Sequence, residues 1–388
     1  MATSKFRDDS PYLKPKPTPT SEDYLYSKYV SDCECKAGKI EPVIGVAIFG
    51  LGRAGTIHMS NVISSARCKL RYVVDDNVSK HADIKKYWRL EEIPILTSKE
   101  CDQIFKDPKV DAVVVCTPTH THEGFVTKAL ACKKAVFCEK PIAEDPESTA
   151  KCYEAATKNG KPLFCAFNRR FDPSYENVRI RVRKGEVGHV HNIRITARDS
   201  PLPTIEYLKA SGGIFHDCMV HDIDMMTWVL GEWPIKVSVM ASANIPEIAA
   251  IKDYDTVAAV FHFTSGTVGM IDLSRNSSYG YDQRLEVFGP RGMVDAENEQ
   301  PLHCVKTQYG QTGQRKPPIW YSFASRFRNG YAREFDHFLD VVHGKCAPAV
   351  HPKEILTVSK IASACEESAR TGRTVDIKWQ PSELPPVD

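Results

Sequence analysis

Residues 43–55 read VIGVAIFGLGRAG, a run typical of a buried strand that leads into a glycine-rich turn. The turn has the spacing Gly50-x-Gly52-x-x-Gly55 and precedes a segment typical of a helix. In such turns the first glycine allows the tight bend, the second lets the backbone approach a pyrophosphate, and the third lets the helix pack closely on the strand. The helix amides would then face the phosphates. We therefore predict a doubly wound parallel sheet that binds a dinucleotide.

A carboxylate follows the second predicted strand. The strand-like run over residues 69–74 ends at Asp75. A carboxylate at this point accepts hydrogen bonds from both ribose hydroxyls and repels a 2′-phosphate. Asp76 lies beside it, and the next arginine along the chain is Arg89. The sequence therefore favours NAD over NADP as the cofactor.

The pattern of predicted elements changes near residue 165. Before it, short apolar runs such as 112–116 alternate with helical segments, which is typical of a right-handed parallel sheet. After it, long β-rich runs such as 189–198 alternate with glycine-containing turns, which is typical of a mostly antiparallel sheet. Helices over about 327–343 and 352–371 close the chain.

This pattern predicts an α/β protein with two folded domains. The predicted parts are a disordered tail over residues 1–42, a dinucleotide-binding domain over 43–165, and an α+β domain over 166–380 with a large, mostly antiparallel open sheet. The tail is rich in proline and poor in aliphatic residues, a composition that does not support a packed core.

Composition excludes several classes of protein. The 388 residues include 51 basic and 49 acidic side chains, so no overall field attracts nucleic acid or an anionic membrane. The longest apolar runs are shorter than a bilayer requires. Thirteen cysteines have no regular spacing, and several fall inside apolar runs, which indicates free thiols in a reducing compartment. We expect a cytoplasmic protein.

The segment around Asp217 combines acidic and imidazole side chains with many apolar residues. On a helix, Asp217, His221 and Asp224 fall at i, i+4 and i+7 and form one stripe, whereas Asp222 points elsewhere. His216 lies about 140° around the helix from His221, and no third ligand is spaced for zinc, so no metal is expected. Burying these charged side chains among apolar residues costs free energy unless they have partners or a function. The alternative is that the stripe is a polar helix face exposed to solvent.

Glu139-Lys140-Pro141 closes another strand-like run. A lysine at a strand end lies at the rim of the sheet, where parallel sheets bind ligands. Oxidising a secondary alcohol needs a base for the hydroxyl proton and a donor for the developing alkoxide. The imidazole of His221 suits the base, and Asp217 can fix its orientation. Lys140 can hold the alkoxide.

These motifs together resemble the glucose–fructose oxidoreductase / inositol dehydrogenase family, over about residues 43–377. The resemblance implies that Lys140, Asp217 and His221 are the catalytic residues. The expected cofactor-binding residues are Gly50, Gly52, Arg53, Ala54, Gly55, Asp75, Thr117, Pro118, His122, Glu139 and Lys140. The expected substrate-binding residues are Lys140, Arg169, Asp217, His221, Asp224, Tyr281 and Tyr331.

The loop Thr117–His122 resembles the family's loop beneath the nicotinamide ribose. His122 matches the family's usual histidine position, and His120 does not. A helix-capping or surface role is the alternative for each of these histidines.

The resemblance also implies the reaction. The expected activity is NAD-dependent oxidation of a cyclic polyol, with myo-inositol to its 2-keto form as the leading case. A sugar dehydrogenase or reductase is one alternative, and an NAD-binding sensor that lacks catalysis is another, although such sensors tend to lose the reacting trio. An open sheet needs covering, so we expect a homodimer or homotetramer through the second sheet.

Overall fold

The computed structural model describes residues 41–302, 307–309, 313–315 and 317–383, the two short stretches by their backbone alone. Residues 1–40 of the predicted tail lie outside this part of the chain, so the expected disorder there stays a prediction. Within the described ranges, no helix is long and apolar enough to cross a membrane.

The first sheet has six parallel strands. They are β1 (Ile44–Phe49), β2 (Cys68–Val74), β3 (Ile95–Leu96), β4 (Ala112–Val115), β5 (Ala135–Glu139) and β6 (Leu163–Ala166). Their order is β3-β2-β1-β4-β5-β6. Every residue of β1, β4 and β6 is buried, as expected for a parallel sheet covered on both faces. The order reverses between β1 and β4, which opens a crevice at their carboxyl ends.

Five helices connect these strands. They are α1 (Arg53–Ser64), α2 (His81–Trp88), α3 (Asp102–Lys106), α4 (His122–Ala131) and α5 (Pro146–Asn159). Helix α1 starts directly from the glycine turn. Gly50 has a φ of +83°, and a Cβ on Gly55 would lie 1.9 Å from the Gly50 carbonyl oxygen. The turn therefore needs glycine at both positions, for the bend and for close packing.

The second sheet has seven strands and is mostly antiparallel. They are β7 (Asn192–Arg198), β8 (Pro234–Ser242), β9 (Thr256–Phe263), β10 (Val268–Ser274), β11 (Asp282–Gly289), β12 (Gly292–Ala296) and β15 (Val375–Asp376). Strands β13 (Thr307–Tyr309) and β14 (Gly313–Arg315) pair with each other in a separate hairpin. The order is β12-β11-β7-β10-β9-β8-β15, and only β7 and β10 pair in parallel among these neighbours of the described chain. The predicted fold class is confirmed.

Helices cover one face of this sheet. The helical elements of this part of the chain include α6 (Pro173–Arg183), α7 (Ile205–Ala210), a π-helical turn (Phe215–Met219), α8 (Val220–Leu230), α9 (Pro246–Ala250), α10 (Phe323–Arg326), α11 (Arg328–Val342) and α12 (Pro352–Thr371). Of these, α6, α8 and α12 contact strands of the sheet. Helix α12 packs on β8 and α8, and residues of β9 alternate between buried and exposed. One face of the second sheet is therefore core and the other is open.

The two sheets are separate in the chain. The first ends at Ala166 and the second begins at Asn192. Helix α11, which follows the second sheet's main strands, packs against α1 beside the first sheet. The domain boundary after residue 165 therefore stays a prediction.

Candidate active site

A cavity of about 890 Å³ lies between the carboxyl edge of the first sheet and the covered face of the second. Its lining includes every predicted site residue except Gly55 and Asp224. Gly55 lies behind the turn, where it lets α1 approach. The segments selected from the sequence therefore converge on one place.

The glycine turn leaves room for a phosphate group. A Cβ on Gly52 would meet no protein atom within 4 Å. Gly52 is also the N-cap of α1 and offers no side chain to the first helix amides. Those amides can therefore bind an anion at the N-terminus of a 12-residue helix. The residues present fit the diphosphate of a dinucleotide.

Two carboxylates follow β2 at the same end of the cavity. Both oxygens of Asp75 accept backbone amides, at 3.0 and 2.9 Å. Asp76 accepts the amide and the hydroxyl of Ser98 at 2.7 and 2.9 Å. Arg53 of the glycine turn also lines the cavity, and its guanidinium lies over the ring of Tyr207. The surroundings of an adenosine ribose would be acidic.

His122 joins two segments on the cofactor side. Its Nδ1 lies 2.7 Å from the Pro141 carbonyl oxygen, and its Nε2 lies 2.7 Å from the Thr117 carbonyl oxygen. Burial lowers the pKa of the His122 imidazole. Because both ring nitrogens face protein carbonyls, the ring fixes the loop against the Lys140 segment. His120 is exposed.

A buried pair at the end of β5 escaped prediction. His58 of α1 is fully buried, and its Nε2 lies 2.8 Å from Glu139 Oε1. Glu334 is also fully buried; burial and then the nearby Glu139 raise its pKa well above the ordinary value. The carboxylate of Glu139 therefore faces α1, while the next residue, Lys140, faces the second sheet.

Lys140 reaches across the cavity to the π turn. Its Nζ donates to the Asp217 carbonyl oxygen at 2.6 Å and to Asp217 Oδ1 at 3.1 Å. The Lys140 side chain is 14% exposed. The ammonium is therefore largely shielded from water but open to the cavity, and these two predicted site residues meet.

Asp217 accepts hydrogen bonds from two further side chains. The Tyr207 hydroxyl donates to Oδ1 at 2.8 Å, and Arg275 Nη1 donates to Oδ2 at 2.7 Å. Burial alone would raise the pKa of Asp217, but Lys140 and Arg275 outweigh it and hold that pKa at about 2. Asp217 is therefore a carboxylate at neutral pH.

The ring of Tyr207 also contacts the glycine turn. The guanidinium carbon of Arg53 lies 4.4 Å from the centroid of the Tyr207 ring and 5.6 Å from that of Phe323. The face of an aromatic ring attracts a cation in this position. A cofactor-side cation is thus connected, through one tyrosine, to Asp217.

The predicted single stripe of Asp217, His221 and Asp224 is wrong. A π turn over Phe215–Met219 precedes the α-helix that begins at Val220. A π turn carries one more residue than an α-helical turn and rotates the residues before it relative to those after it. Asp217 and His221 make no hydrogen bond with each other, because the carboxylate accepts from Lys140, Tyr207 and Arg275, so the expected orientation of the imidazole by Asp217 is not observed.

Asp224 pairs with Arg170 instead of lining the cavity. Arg170 Nε lies 3.1 and 3.0 Å from the two carboxylate oxygens of Asp224, and Nη2 donates to Oδ1 at 2.6 Å. The same guanidinium donates to Glu354 Oε2 at 2.9 Å. Both partners of the Asp224 pair are almost completely buried. The geometry thus gives Asp224 a place in the core of the fold and not beside a substrate.

We expect Asp224→Asn to lower the free energy of unfolding by about 2 kcal/mol and to leave the substrate KM unchanged. The substitution weakens a buried ion pair, while Arg170 keeps Glu354 as a partner. Denaturant unfolding and steady-state kinetics measure the two effects. A raised KM at unchanged stability would return Asp224 to the substrate site.

Asp222, which was expected to point elsewhere, lines the cavity. Arg169 Nη1 donates to its Oδ1, and Arg169 Nη2 lies 3.5 Å from the Tyr281 hydroxyl. Burial raises the pKa of Asp222 to about 6 against the opposing charge of Arg169, and Oδ2 has no partner among the described residues. Tyr331 is buried and also lines the cavity. This end of the cavity offers directional donors and acceptors, and its arginine is paired.

His221 faces the same end of the cavity. Its Nδ1 is buried and has no hydrogen-bond partner within the described chain. Burial, together with the positive charges of Lys140 and Arg169, lowers the pKa of His221 well below 6.5. The imidazole is therefore neutral at neutral pH, which is the form that accepts a proton.

Arg275 and Tyr207 were also missed. For Arg275 the sequence carries a signal, because Ile271 and Leu273 of β10 are buried and a period of two puts residue 275 on the same face. A charged residue in that phase is a candidate site residue, since a buried charge needs a partner. Tyr207 lies on the short helix α7, where no such periodicity marks it.

Comparisons with known proteins agree with this geometry. Residues 44–167 match the family model described as an oxidoreductase family with an NAD-binding Rossmann fold, and residues 175–295 match the GFO/IDH/MocA C-terminal domain. The inositol 2-dehydrogenase of Rhizobium meliloti (strain 1021) is 35% identical over 331 residues, which are 85% of this chain and 98% of that protein.

Solved structures are similar as well. A myo-inositol dehydrogenase from Corynebacterium glutamicum ATCC 13032 has a TM-score of 0.79 and 30% identity, over 87% of this chain and 100% of that chain. A scyllo-inositol dehydrogenase from Lactobacillus casei with bound NAD(H) and scyllo-inositol has a TM-score of 0.78 and 25% identity, over 86% of this chain and 99% of that chain.

Proposed function

Because the chain belongs to the GFO/IDH/MocA family of oxidoreductases and carries its NAD-binding Rossmann domain, we propose that it oxidises a secondary hydroxyl of a cyclic polyol. The leading reaction is the conversion of myo-inositol to its 2-keto form. The names of its relatives support this substrate class, since they include inositol 2-dehydrogenase and scyllo-inositol dehydrogenase.

One observation carries the proposal. Lys140 comes from the end of β5, where the nicotinamide half of a dinucleotide would lie, and its ammonium meets Asp217 of the second sheet's π turn at 3.1 Å. His221 lines the same cavity as a neutral imidazole. A cation and a base therefore flank the place where a secondary alcohol would meet the cofactor.

Each group has a separate task in the proposed mechanism. Bound NAD supplies the acceptor for the hydride that leaves the carbinol carbon. His221 takes the hydroxyl proton on a ring nitrogen, and the Lys140 ammonium donates a hydrogen bond to the oxygen as negative charge develops there. Asp217 stays ionised and holds Lys140 in place.

The lining supports a neutral polyol as the substrate. Arg169 is paired with Asp222, and Tyr281 and Tyr331 also line the cavity. A phosphorylated substrate would instead call for several unpaired cations. Hydroxyl groups on a ring can both donate to Asp222 and accept from the tyrosines, as neutral sugars and polyols do.

A spectrophotometric screen tests the function. NAD reduction should be fastest with myo-inositol or a stereoisomer, and slower with aldoses. A preference for aldoses would overturn the inositol assignment in favour of a sugar dehydrogenase. No reduction with any polyol or sugar, despite NAD binding, would overturn the catalytic reading in favour of a sensor.

We expect NAD to exceed NADP in kcat/KM by at least about tenfold, or about 1.4 kcal/mol, because Asp75 and Asp76 would face a 2′-phosphate without a basic partner. Parallel assays with the two cofactors measure this ratio. Asp75→Ser should narrow it. Equal efficiency with both cofactors would contradict the role given to Asp75.

The assembly and the compartment are also proposed. Met240 and Val260 lie on the open face of the second sheet with 82% and 47% exposure, and a homodimer or homotetramer through this face would cover them. The ten cysteines of the described chain are free thiols, and six of these are buried, which supports a cytoplasmic location. Light scattering of the purified protein tests the assembly.

A further inference from the structure

Arg275 is a fully buried cation directly behind Asp217. Its Nη1 donates to Asp217 Oδ2 at 2.7 Å and lies 3.2 Å from Cys218 Sγ, and its Nη2 donates to Asp253 Oδ2 at 3.2 Å. Buried ion pairs often stabilise a fold no better than apolar side chains of the same size. The position of this one, against the carboxylate that holds Lys140, calls for a reason other than stability.

We propose that Arg275 is a positioning residue that keeps Asp217 ionised and facing Lys140. The inference rests on the proposed oxidation, because that reaction gives Asp217 its role. The carboxylate is divided between its partners: Oδ2 accepts from Arg275, which leaves Oδ1 for Lys140. Rotation of the carboxylate away from Lys140 would break its bond with the guanidinium.

The charges of the cluster balance in pairs. Lys140 and Arg275 are the cations, and Asp217 and Asp253 are the anions. The other titratable groups that face Asp217 are Tyr207 from α7, Cys218 from the π turn and Asp199 after β7. Without Arg275, the carboxylate would keep only one cation against burial and the neighbouring acid. Asp217 would then bind a proton at a higher pH.

The direction of the effect on catalysis follows. The ionised form of Asp217 holds Lys140, so the ionised form is the active one. A raised pKa of Asp217 means that activity disappears at a higher pH as the solution is made more acidic. Loss of Arg275 should therefore impair the enzyme more in acidic than in neutral solution. A purely structural arginine would lower the activity equally at every pH.

The decisive measurement is a 13C titration of aspartate carboxyl groups, with the Asp217 signal identified by its absence in Asp217→Asn. In Arg275→Met this signal should titrate at least about one pH unit higher than in the wild type. Arg275→Lys, which keeps a cation, should recover at least half of that shift. In the same Met variant, kcat should decline at a higher pH on the acid side than in the wild type, with NAD affinity at pH 8 within threefold.

Asp253→Asn is the matched control. It disturbs the same cluster but leaves the contact between Arg275 and Asp217, so Asp217 should titrate as in the wild type. Circular dichroism and NAD binding show which variants fold; if Arg275→Met does not, Arg275→Gln replaces it in the comparison with Arg275→Lys. An unshifted Asp217 signal in the folded variants would overturn the inference. A wild type that oxidises no polyol would overturn the proposed function alone, because the carboxyl titration needs no substrate.

Discussion

Replacing Lys140 with alanine should lower the turnover of NAD-linked polyol oxidation by about 10²-fold or more. The ammonium would stabilise negative charge that develops on the substrate oxygen, and this interaction is strongest in the transition state. NAD affinity should therefore stay within a few-fold of the wild type. Steady-state kinetics and fluorescence titration with NADH measure the two quantities separately.

Lys134 offers a matched control for this substitution. It is also a largely buried lysine, directly before the first residue of β5, but its Nζ donates to the Asp107 carbonyl oxygen at 2.8 Å, away from the cavity. Lys134→Ala should retain normal turnover. Near-normal turnover in Lys140→Ala as well would reduce Lys140 to a structural residue at the end of β5.

His221→Gln should lower kcat by about 10²-fold or more, because glutamine cannot take the hydroxyl proton. In the wild type, protonation of the imidazole should reduce the activity only below pH 6.5, because burial and the charges of Lys140 and Arg169 lower the pKa of His221. The active form is the deprotonated one, so activity is lost as pH falls through that lowered value. A pH profile of kcat/KM measures the position of this acid limb.

Two variants make the assignment of the base specific. Asp217→Asn should slow the reaction but leave the acid limb of His221 in place, because the carboxylate makes no hydrogen bond with the imidazole. His216→Gln should change neither the rate nor the acid limb, because His216 lies outside the cavity and contacts Glu366 at 3.3 Å. Preserved turnover in His221→Gln would show that another group accepts the proton.

The sequence was most informative where local pattern determines structure. The strand predicted from the first residues of the fold corresponds to β1, and the helix predicted over 352–371 is observed over Pro352–Thr371. The family and the NAD-binding domain are confirmed by the comparisons. These features could be predicted because they depend on periodicity and on glycine spacing, and both can be recognised from residues that are close together in the sequence.

The site was less predictable because it depends on geometry that no short pattern expresses. The apolar spacing of a π turn is close to that of an α-helix, so nothing in residues 215–219 marked the extra residue. Asp222 lines the cavity and Asp224 does not, although both are buried, and Asp217 makes no hydrogen bond with His221. The partners of Asp217 come from three distant segments, and only the alternation in β10 gave a sign of one, Arg275.

The contact between Arg53 and Tyr207 has a consequence for protein engineering. Arg53 belongs to the turn that would hold the diphosphate of the cofactor, yet its guanidinium lies over the ring of Tyr207, whose hydroxyl donates to Asp217. A library built at position 53 to select for another cofactor would therefore also vary the rate of hydride transfer. Selection for growth on a polyol would not separate the two traits, so variants should be ranked by cofactor affinity and by turnover independently.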